Sequence, residues 1–361
     1  MKKIVAIHLL NDYSGSPLVL KQVLNELASK GHAVDLYTSS TDKPGFLDEL
    51  KQAQRFSFNY QWHPNKWITL IRLLLSQIAV FRLLLKYKKE DVVIYVNTLL
   101  PFGAAIAGKF MGKKVIYHIH ETSIKPEIFK WFLKKVASLC ANEAIYVSNY
   151  LAEKEPLSST NCHTIYNALG NDFIHQIKNH HGITNKQKGF SVLMLCSLKK
   201  YKGVYNFIDL AKQIPDVHFQ LVLNASDADI EKAFNNIALP PNLHYVSATN
   251  NVHPFYTNSS LVINLSHPEA WVETFGMTIL EAMNYGIPAI VPAIGGIQEL
   301  VDNGVNGYQI TVHQKNALAF FIKKLKTETD HYKQLCNGAL QKALQFSIHK
   351  QVNQIASIVS S

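Results

Sequence analysis

The chain is poor in cysteine, in charge and in long apolar runs, and each shortage excludes something. Its four cysteines, Cys140, Cys162, Cys196 and Cys336, are scattered with no Cys-x-x-Cys pair. That spacing argues against a zinc site and a disulfide framework and fits a reducing cytosol. Charged residues make up 17% of the sequence against 47% hydrophobic ones, a globular composition and not a disordered one. No G-x-G-x-x-G is present, so the dinucleotide fingerprint is missing. There is no internal repeat of solenoid length and no low-complexity tract.

Two apolar stretches come closest to membrane segments. The run after Lys3 is only about seven residues, contains His8 and lacks a small-residue cleavage site, so it reads as a buried strand rather than a signal peptide. The run over 67–85 has nearly the ~20 residues a span needs. Arg72 and Arg82 lie inside it, and each costs about 2.5–3.5 kcal/mol near a bilayer centre. A helix packed on a sheet is expected there, not a transmembrane span.

Positive charge is in excess, with a net of +10. Residues 51–150 hold 15 Lys and Arg against 5 Asp and Glu, and the second half of the chain is nearly balanced. A basic face on the first half suits an anionic membrane surface or an anionic substrate, and a plain solvated surface is the competing reading. No nucleic-acid-binding motif accompanies the charge, so nucleic acid is not expected as a partner.

At 361 residues the chain suits two domains. Short apolar runs alternate with helix-length segments: KIVAIHLL, AVDLYTS, VVIYVN, KVIYHIH and EAIYVS, then SVLMLCS, HFQLVLN, LVINLS, PAIVPA and GYQI. Alternation of this kind predicts parallel sheets of the doubly wound α/β class. The boundary falls near 166–173, giving domains of 1–168 and 169–345, with a polar segment over 178–189 between them. The C-terminal helix, about 346–361, is expected to pack back on the first domain. Ligand is expected at carboxyl ends of strands, in a cleft between the domains.

The segment 266–307 is the most informative. A strand, LVINLS, leads through HPEAWVE to Gly276, where a helix begins and runs to Gly286. A helix N-terminus at Gly276–Thr278 offers backbone N–H groups and the positive end of the dipole to a phosphate. Glu281 lies five residues further in, where its carboxylate can accept from sugar hydroxyls, and Glu273 sits just before the helix. Glu273 and Glu281 form a Glu-x7-Glu pair within ETFGMTILEAM, followed by GIP and GGIQELV–NGVNG.

This segment resembles the donor-site signature of retaining glycosyltransferases with the two-domain GT-B fold, in particular family 4. Weaker agreement extends over essentially the whole chain. The resemblance implies two Rossmann-like doubly wound domains with an interdomain cleft. It implies transfer of a sugar from a UDP- or GDP-linked donor to a glycan or lipid-linked acceptor, as in cell-surface polysaccharide synthesis. Glu281 would then bind the nucleotide ribose and Glu273 the donor sugar. The stretch Phe275, Gly276, Met277 and Thr278 would meet the donor, its amides facing the diphosphate. No metal and no cofactor is expected, and the enzyme is expected in the cytoplasm, peripheral at the inner face of the cytoplasmic membrane. A GT-B nucleotide-sugar epimerase and a non-catalytic sugar-nucleotide or lipid-binding module are the alternatives.

Family members carry a functional histidine at the end of a first-domain strand. Here it is matched best by His120 with Glu121 beside it, whereas His118 reads as a packed histidine. The resemblance places Gly15 and Ser16 in the cleft, with a plain strand-to-helix turn as the competing reading. At the start of the second domain the family has Gly-Arg followed by a lysine. Cys196 and Ser197 replace the Gly-Arg, while Lys202 is kept. Lys199 or Lys200 is left to supply the second cation, without arginine's bidentate fork. Asp227 and Asp229 form an Asp-x-Asp pair, but Ser226 ahead of them predicts a helix capping box and not a metal site.

Overall fold

The computed structural model describes residues 1–40, 44–158, 160–180, 189–249 and 251–361. Most of the polar segment expected over 178–189 lies outside the described residues. The chain divides into two compact units, residues 1–167 with 349–361, and residues 168–348.

Unit 1 runs β1 (Lys3–His8), α1 (Gly15–Ser29), β2 (Val34–Ser39), β3 (Ala53–Phe58), α2 (Lys66–Leu84), β4 (Val92–Asn97), α3 (Phe102–Phe110), β5 (Lys114–Ile119), α4 (Glu127–Cys140), β6 (Glu143–Tyr146), α5 (Asn149–Lys154) and β7 (Asn161–Thr164). Its seven strands are ordered β3-β2-β1-β4-β5-β6-β7 and every pairing is parallel. Strand β1 pairs on both sides, Ile4 with Val34 of β2 and with Val93 of β4. The strand order reverses between β1 and β4, which opens a crevice beyond their carboxyl ends. The strand interiors IVAI and VVIYV are apolar throughout because helices cover both faces of a parallel sheet.

Helix α1 buries Val19, Leu20, Val23, Leu24 and Leu27 at helical spacing. Each such side chain contributes about 1.5–3 kcal/mol of transfer free energy. Helix α2 packs as a helix, as the two arginines predict, but its inward face is narrow. It buries Leu73, Ser76, Gln77, Val80 and Leu84, and most of its large apolar residues face outward.

Unit 2 runs α6 (Asn171–His180), β8 (Ser191–Ser197), α7 (Val204–Gln213), β9 (His218–Asn224), α8 (Asp227–Phe234), β10 (Leu243–Val246), α9 (His253–Thr257), β11 (Leu261–Ile263), α10 (Met277–Asn284), β12 (Ala289–Val291), β13 (Gly307–Gln309), α11 (Lys315–Thr327) and α12 (Thr329–Ala343). Its six parallel strands are ordered β10-β9-β8-β11-β12-β13, reversing between β8 and β11. The core gathers Val192 and Met194 of β8, Phe219 and Leu221 of β9, and Phe207 and Ile208 of α7. The last helix, α13 (Ile348–Ser360), belongs to unit 1. Both units are thus Rossmann-like and doubly wound, as the alternation of runs predicts.

Candidate active site

In unit 1, chemistry-bearing residues collect where the strand order reverses. His8 ends β1, Asn97 ends β4, His118 lies in β5 and His120 follows it. Asn97 is fully buried. Its Nδ2 donates to the Ser16 carbonyl oxygen at 3.3 Å and to His8 Nδ1 at 3.0 Å. Its Oδ1 meets His120 Nε2 at 2.9 Å. A carbonyl can only accept, so the Ser16 contact fixes the amide's orientation, and Oδ1 must accept a hydrogen bond from the His120 Nε2–H. His120 is held below the usual imidazole range by burial first, then by His118 and His8 beside it. It is therefore a neutral imidazole protonated on Nε2.

His118 is fully buried, its Nδ1 2.9 Å from the Tyr95 hydroxyl, with burial pulling it down to about 3. It is a packed histidine. Glu121 is committed to backbone, its two oxygens accepting from the N–H groups of Leu99 and His120 at 2.9 and 3.1 Å. Its position steadies the loop after β4 and the turn carrying His120. Gly15 opens α1 with open space where a side chain would sit, so the fold itself does not demand glycine there. Ser16 joins the cluster through its backbone carbonyl.

In unit 2 the second cluster lies beyond β8 and β11, again at the reversal of strand order. Lys202 ends a short turn, Lys200–Lys202, after β8. Its Nζ is 2.5 Å from Glu273 Oε1, which also accepts from Ser266 Oγ at 2.8 Å and from Asn264 Nδ2 at 3.5 Å. Burial works to raise the Glu273 pKa, but Lys202 and these hydrogen bonds together carry it below the usual carboxylate range. Trp271 stacks on Tyr201 with centroids 5.4 Å apart and lies under the Lys202 ammonium at 4.7 Å.

Glu281 is shifted in the opposite direction. It is buried within α10, accepts a hydrogen bond from the Tyr256 hydroxyl, and is pushed up by burial to about 7. Tyr256 in turn stacks on Tyr285 at 5.4 Å. Gly276 caps α10 at φ +110°, and a side chain there would press on Ile297 at 2.6 Å. Packing inside the protein, as well as any ligand, thus requires glycine at this position. Gly295, at φ +97°, lies so close to the Glu273 carbonyl that a Cβ would sit 2.5 Å from it. Phe275 is buried against Phe346, with centroids 5.8 Å apart, whereas Met277 and Thr278 are partly exposed at the helix start.

Ser197 and Lys199 line a cavity of about 390 Å³ together with Lys200, Tyr205, Asn224 and Asp229. Burial pushes the neighbouring Cys196 thiol up to about 12, which leaves it no nucleophile. Ser226 caps α8, its Oγ accepting from the Asp229 N–H at 3.3 Å and donating to Asp229 Oδ2 at 2.6 Å. The N-cap that the spacing predicts is present, with a hydroxyl–carboxylate bond in place of the reciprocal backbone bond of a capping box. Among the described residues His267, Glu269 and His313 bring ligand atoms within 4.8 Å of one another. His267 Nε2 is engaged with Asn206 and His313 Nε2 with Glu269 of the same group, and two of the three residues are exposed. They make no convincing metal site.

Two family models match the chain in tandem. Glycosyltransferase Family 4 covers residues 13–169, and Glycosyl transferases group 1 covers residues 176–342. The chain is a GT-B glycosyltransferase. Over 99% of its length this glycosyltransferase is 23% identical to N-acetyl-alpha-D-glucosaminyl L-malate synthase of Bacillus anthracis, of which it covers 97%. Its fold is similar to that of HepE from Anabaena, solved in complex with UDP and glucose, with a TM-score of 0.78, 22% identity and full coverage of both chains. WaaG, a glycosyltransferase involved in lipopolysaccharide biosynthesis, is similar at a TM-score of 0.71 and 16% identity over 99% of this chain and 100% of that one.

The geometry adds residues to this glycosyltransferase that the sequence reading passes over. Asn97 and His8 brace His120, Tyr256 bonds Glu281, and Asn264 and Ser266 bond Glu273. Asn97, His8 and Tyr256 belong to no spaced motif, and only the fold brings them to their partners.

Proposed function

We propose that this glycosyltransferase takes a hexosyl or related glycosyl group from a UDP-sugar and passes it, with retention of configuration, to a glycan or lipid-linked acceptor in cell-surface polysaccharide synthesis. The observation that carries the reading is the pair of glutamates flanking the start of α10 in different settings, Glu273 ion-paired to Lys202 and Glu281 buried against the Tyr256 hydroxyl. Ionised Glu273 suits the donor sugar's hydroxyls, and Glu281, titrating near 7, suits the ribose. The complex of HepE with UDP and glucose supports the choice of uridine and of a hexose.

The difficulty of the reaction is separating an anionic nucleoside diphosphate from an oxocarbenium-like sugar. Lys202 and the N–H groups of Met277 and Thr278 would stabilise the charge as it develops on the leaving phosphate. Lys199 or Lys200, at the mouth of the cavity beside Ser197, would stand in for the family's arginine. The acceptor oxygen bonds the anomeric carbon as the phosphate leaves, and its proton passes to that phosphate. His120, neutral and held by Asn97, would touch the sugar or acceptor as an orienting group. A lipid-linked acceptor would place the enzyme peripherally at the inner face of the cytoplasmic membrane.

Incubation with a panel of UDP-, GDP- and ADP-sugars tests the reading. Turnover with a UDP-sugar is expected, and the product's anomeric configuration is read by NMR. Lys202→Ala is expected to lower kcat by about 10²–10³-fold. Failure to bind or turn over every sugar of the panel would sink the proposal.

A further inference from the structure

We infer that the outer face of α2, α3 and α4 is the surface by which this protein lies on an anionic lipid bilayer. The inference deepens the membrane association within the proposed function and rests on that part of it. On α2, Trp67, Ile71, Leu74, Leu75 and Ile78 recur at helical spacing and are exposed, Trp67 by 74%. On α4, Ile128, Trp131, Phe132 and Leu139 do the same, Trp131 by 64%. Between the two, α3 exposes Ile106 and Phe110.

The three helices form one continuous layer. The Gly103 N–H of α3 donates to Gln77 Oε1 of α2 at 3.0 Å, and a Cβ on Gly103 would lie 2.3 Å from the Gln77 carbonyl oxygen. Phe81 of α2 meets Phe110 of α3 at 5.8 Å, and Phe102 of α3 meets Phe132 of α4 at 5.3 Å. A connected apolar face of this extent is unusual on a water-facing surface. Its tryptophans are the side chains that favour the boundary between headgroups and acyl chains.

Charge decides what covers the face. The three helices carry Lys66, Arg72, Arg82, Lys109, Lys130, Lys134 and Lys135 against Glu127 alone. Buried Glu155 is answered by both Lys130 and Lys134, while Lys135 is exposed and in no salt bridge among the described residues. Anionic headgroups complement such a face. A second copy of this chain would bring the same basic residues against themselves, which disfavours self-association there. By length and composition α2 with the turn after it could cross a membrane, with only 28% of that window buried. Its inward face is instead fastened to α3 through Gln77, and Arg72 and Arg82 suit headgroups rather than a hydrocarbon interior. The helix is therefore placed to lie in the interface plane.

Co-sedimentation of the full chain with phosphatidylcholine vesicles, with and without phosphatidylglycerol, tests this. Wild type is expected to bind the anionic vesicles more strongly, and less as salt is raised. Trp67→Ser combined with Ile71→Ser and Trp131→Ser is expected to weaken binding at least ~10-fold. Phe320→Ser with Leu344→Ser, exposed apolar residues of unit 2, is expected to leave it unchanged. If the triple variant fails to unfold cooperatively, Lys109→Glu with Lys135→Glu gives the second reading, through loss of the preference for phosphatidylglycerol.

Three outcomes overturn the inference: wild type ignoring both vesicles, surface variants binding like wild type, or a lipid-free dimer that the triple variant dissociates. UDP-sugar turnover is measured separately in lipid-free solution. Lost turnover with vesicle binding intact strikes the donor chemistry and leaves this surface standing.

Discussion

Asn97 has one oxygen and two N–H bonds to place, and its surroundings leave a single arrangement. With both N–H bonds on Ser16 and His8, its oxygen fixes His120 as the Nε2-protonated tautomer. Asn97 is a positioning residue by this account, so Asn97→Ala is expected to lower kcat by roughly 10- to 100-fold while donor KM shifts far less. Asn97→Asp puts a carboxylate beside His120, raises its pKa, and should give kcat at saturating donor a pH dependence different from that of wild type. Wild-type kcat in the alanine variant, or a pH profile in the aspartate variant that matches wild type's, would remove the role. Glu281 offers a test with a definite sign. Burial raises it from 4.5 to about 7, so between those values the folded state binds more protons than the unfolded one. Stability then falls as pH rises through that window, and the full cost is present above 7. Glu281→Gln is expected to stabilise the protein by up to about 3 kcal/mol near pH 8 and to do nothing near pH 4, read by denaturant titration. The same variant should bind UDP about tenfold more weakly, and near-wild-type affinity by calorimetry would refute the ribose role.

At the scale of elements, legibility in the sequence followed local chemistry. Helix α10 is readable because Gly276 and Gly286 bracket an apolar run of helical length, and the structure starts the helix one residue after Gly276. Central strands are readable because both faces are covered and the run is uniformly apolar. The edge strands β3 and β10 escape the same reading. Strand β3 reads AQRFSF and is largely exposed, and β10 leaves His244 and Tyr245 in solvent, so neither has the uninterrupted apolar run of a central strand. Helix α2 is read correctly as a helix, but composition cannot say which face turns inward. Ser76 and Gln77 are buried because Gln77 has a backbone N–H of α3 to satisfy, and only tertiary structure supplies that partner. The site divides along the same line. Glu273 and Glu281 belong to a spaced motif and are legible. Asn97 and His8 lie 89 residues apart, and Lys202 and Glu273 lie 71 apart, so their pairing depends on strand order and not on periodicity.

The molecule as a whole is two doubly wound units whose chain crosses between them twice, leaving unit 1 at Asn167 and returning at His349. The return matters because α13 is not an appendage. Val352, Ile355 and Val359 are essentially fully buried, and the Lys114 ammonium of β5 reaches the Ile358 carbonyl at 2.6 Å and the Ser361 hydroxyl at 2.7 Å. Losing one large buried side chain typically costs about 2–5 kcal/mol. Losing α13 entire removes several, against a total of about 5–15 kcal/mol for a domain. Truncation after residue 347 is therefore expected to unfold unit 1 selectively. Hydrogen exchange should show lost protection in β1, β4 and β5, while β8, β9 and α10 stay protected and UDP still binds. If β4 and β5 keep their protection, α13 contributes little to unit 1. If both units lose protection together, they fold as one cooperative body, and the ribose and diphosphate contacts proposed for unit 2 depend on a unit that supplies none of those side chains.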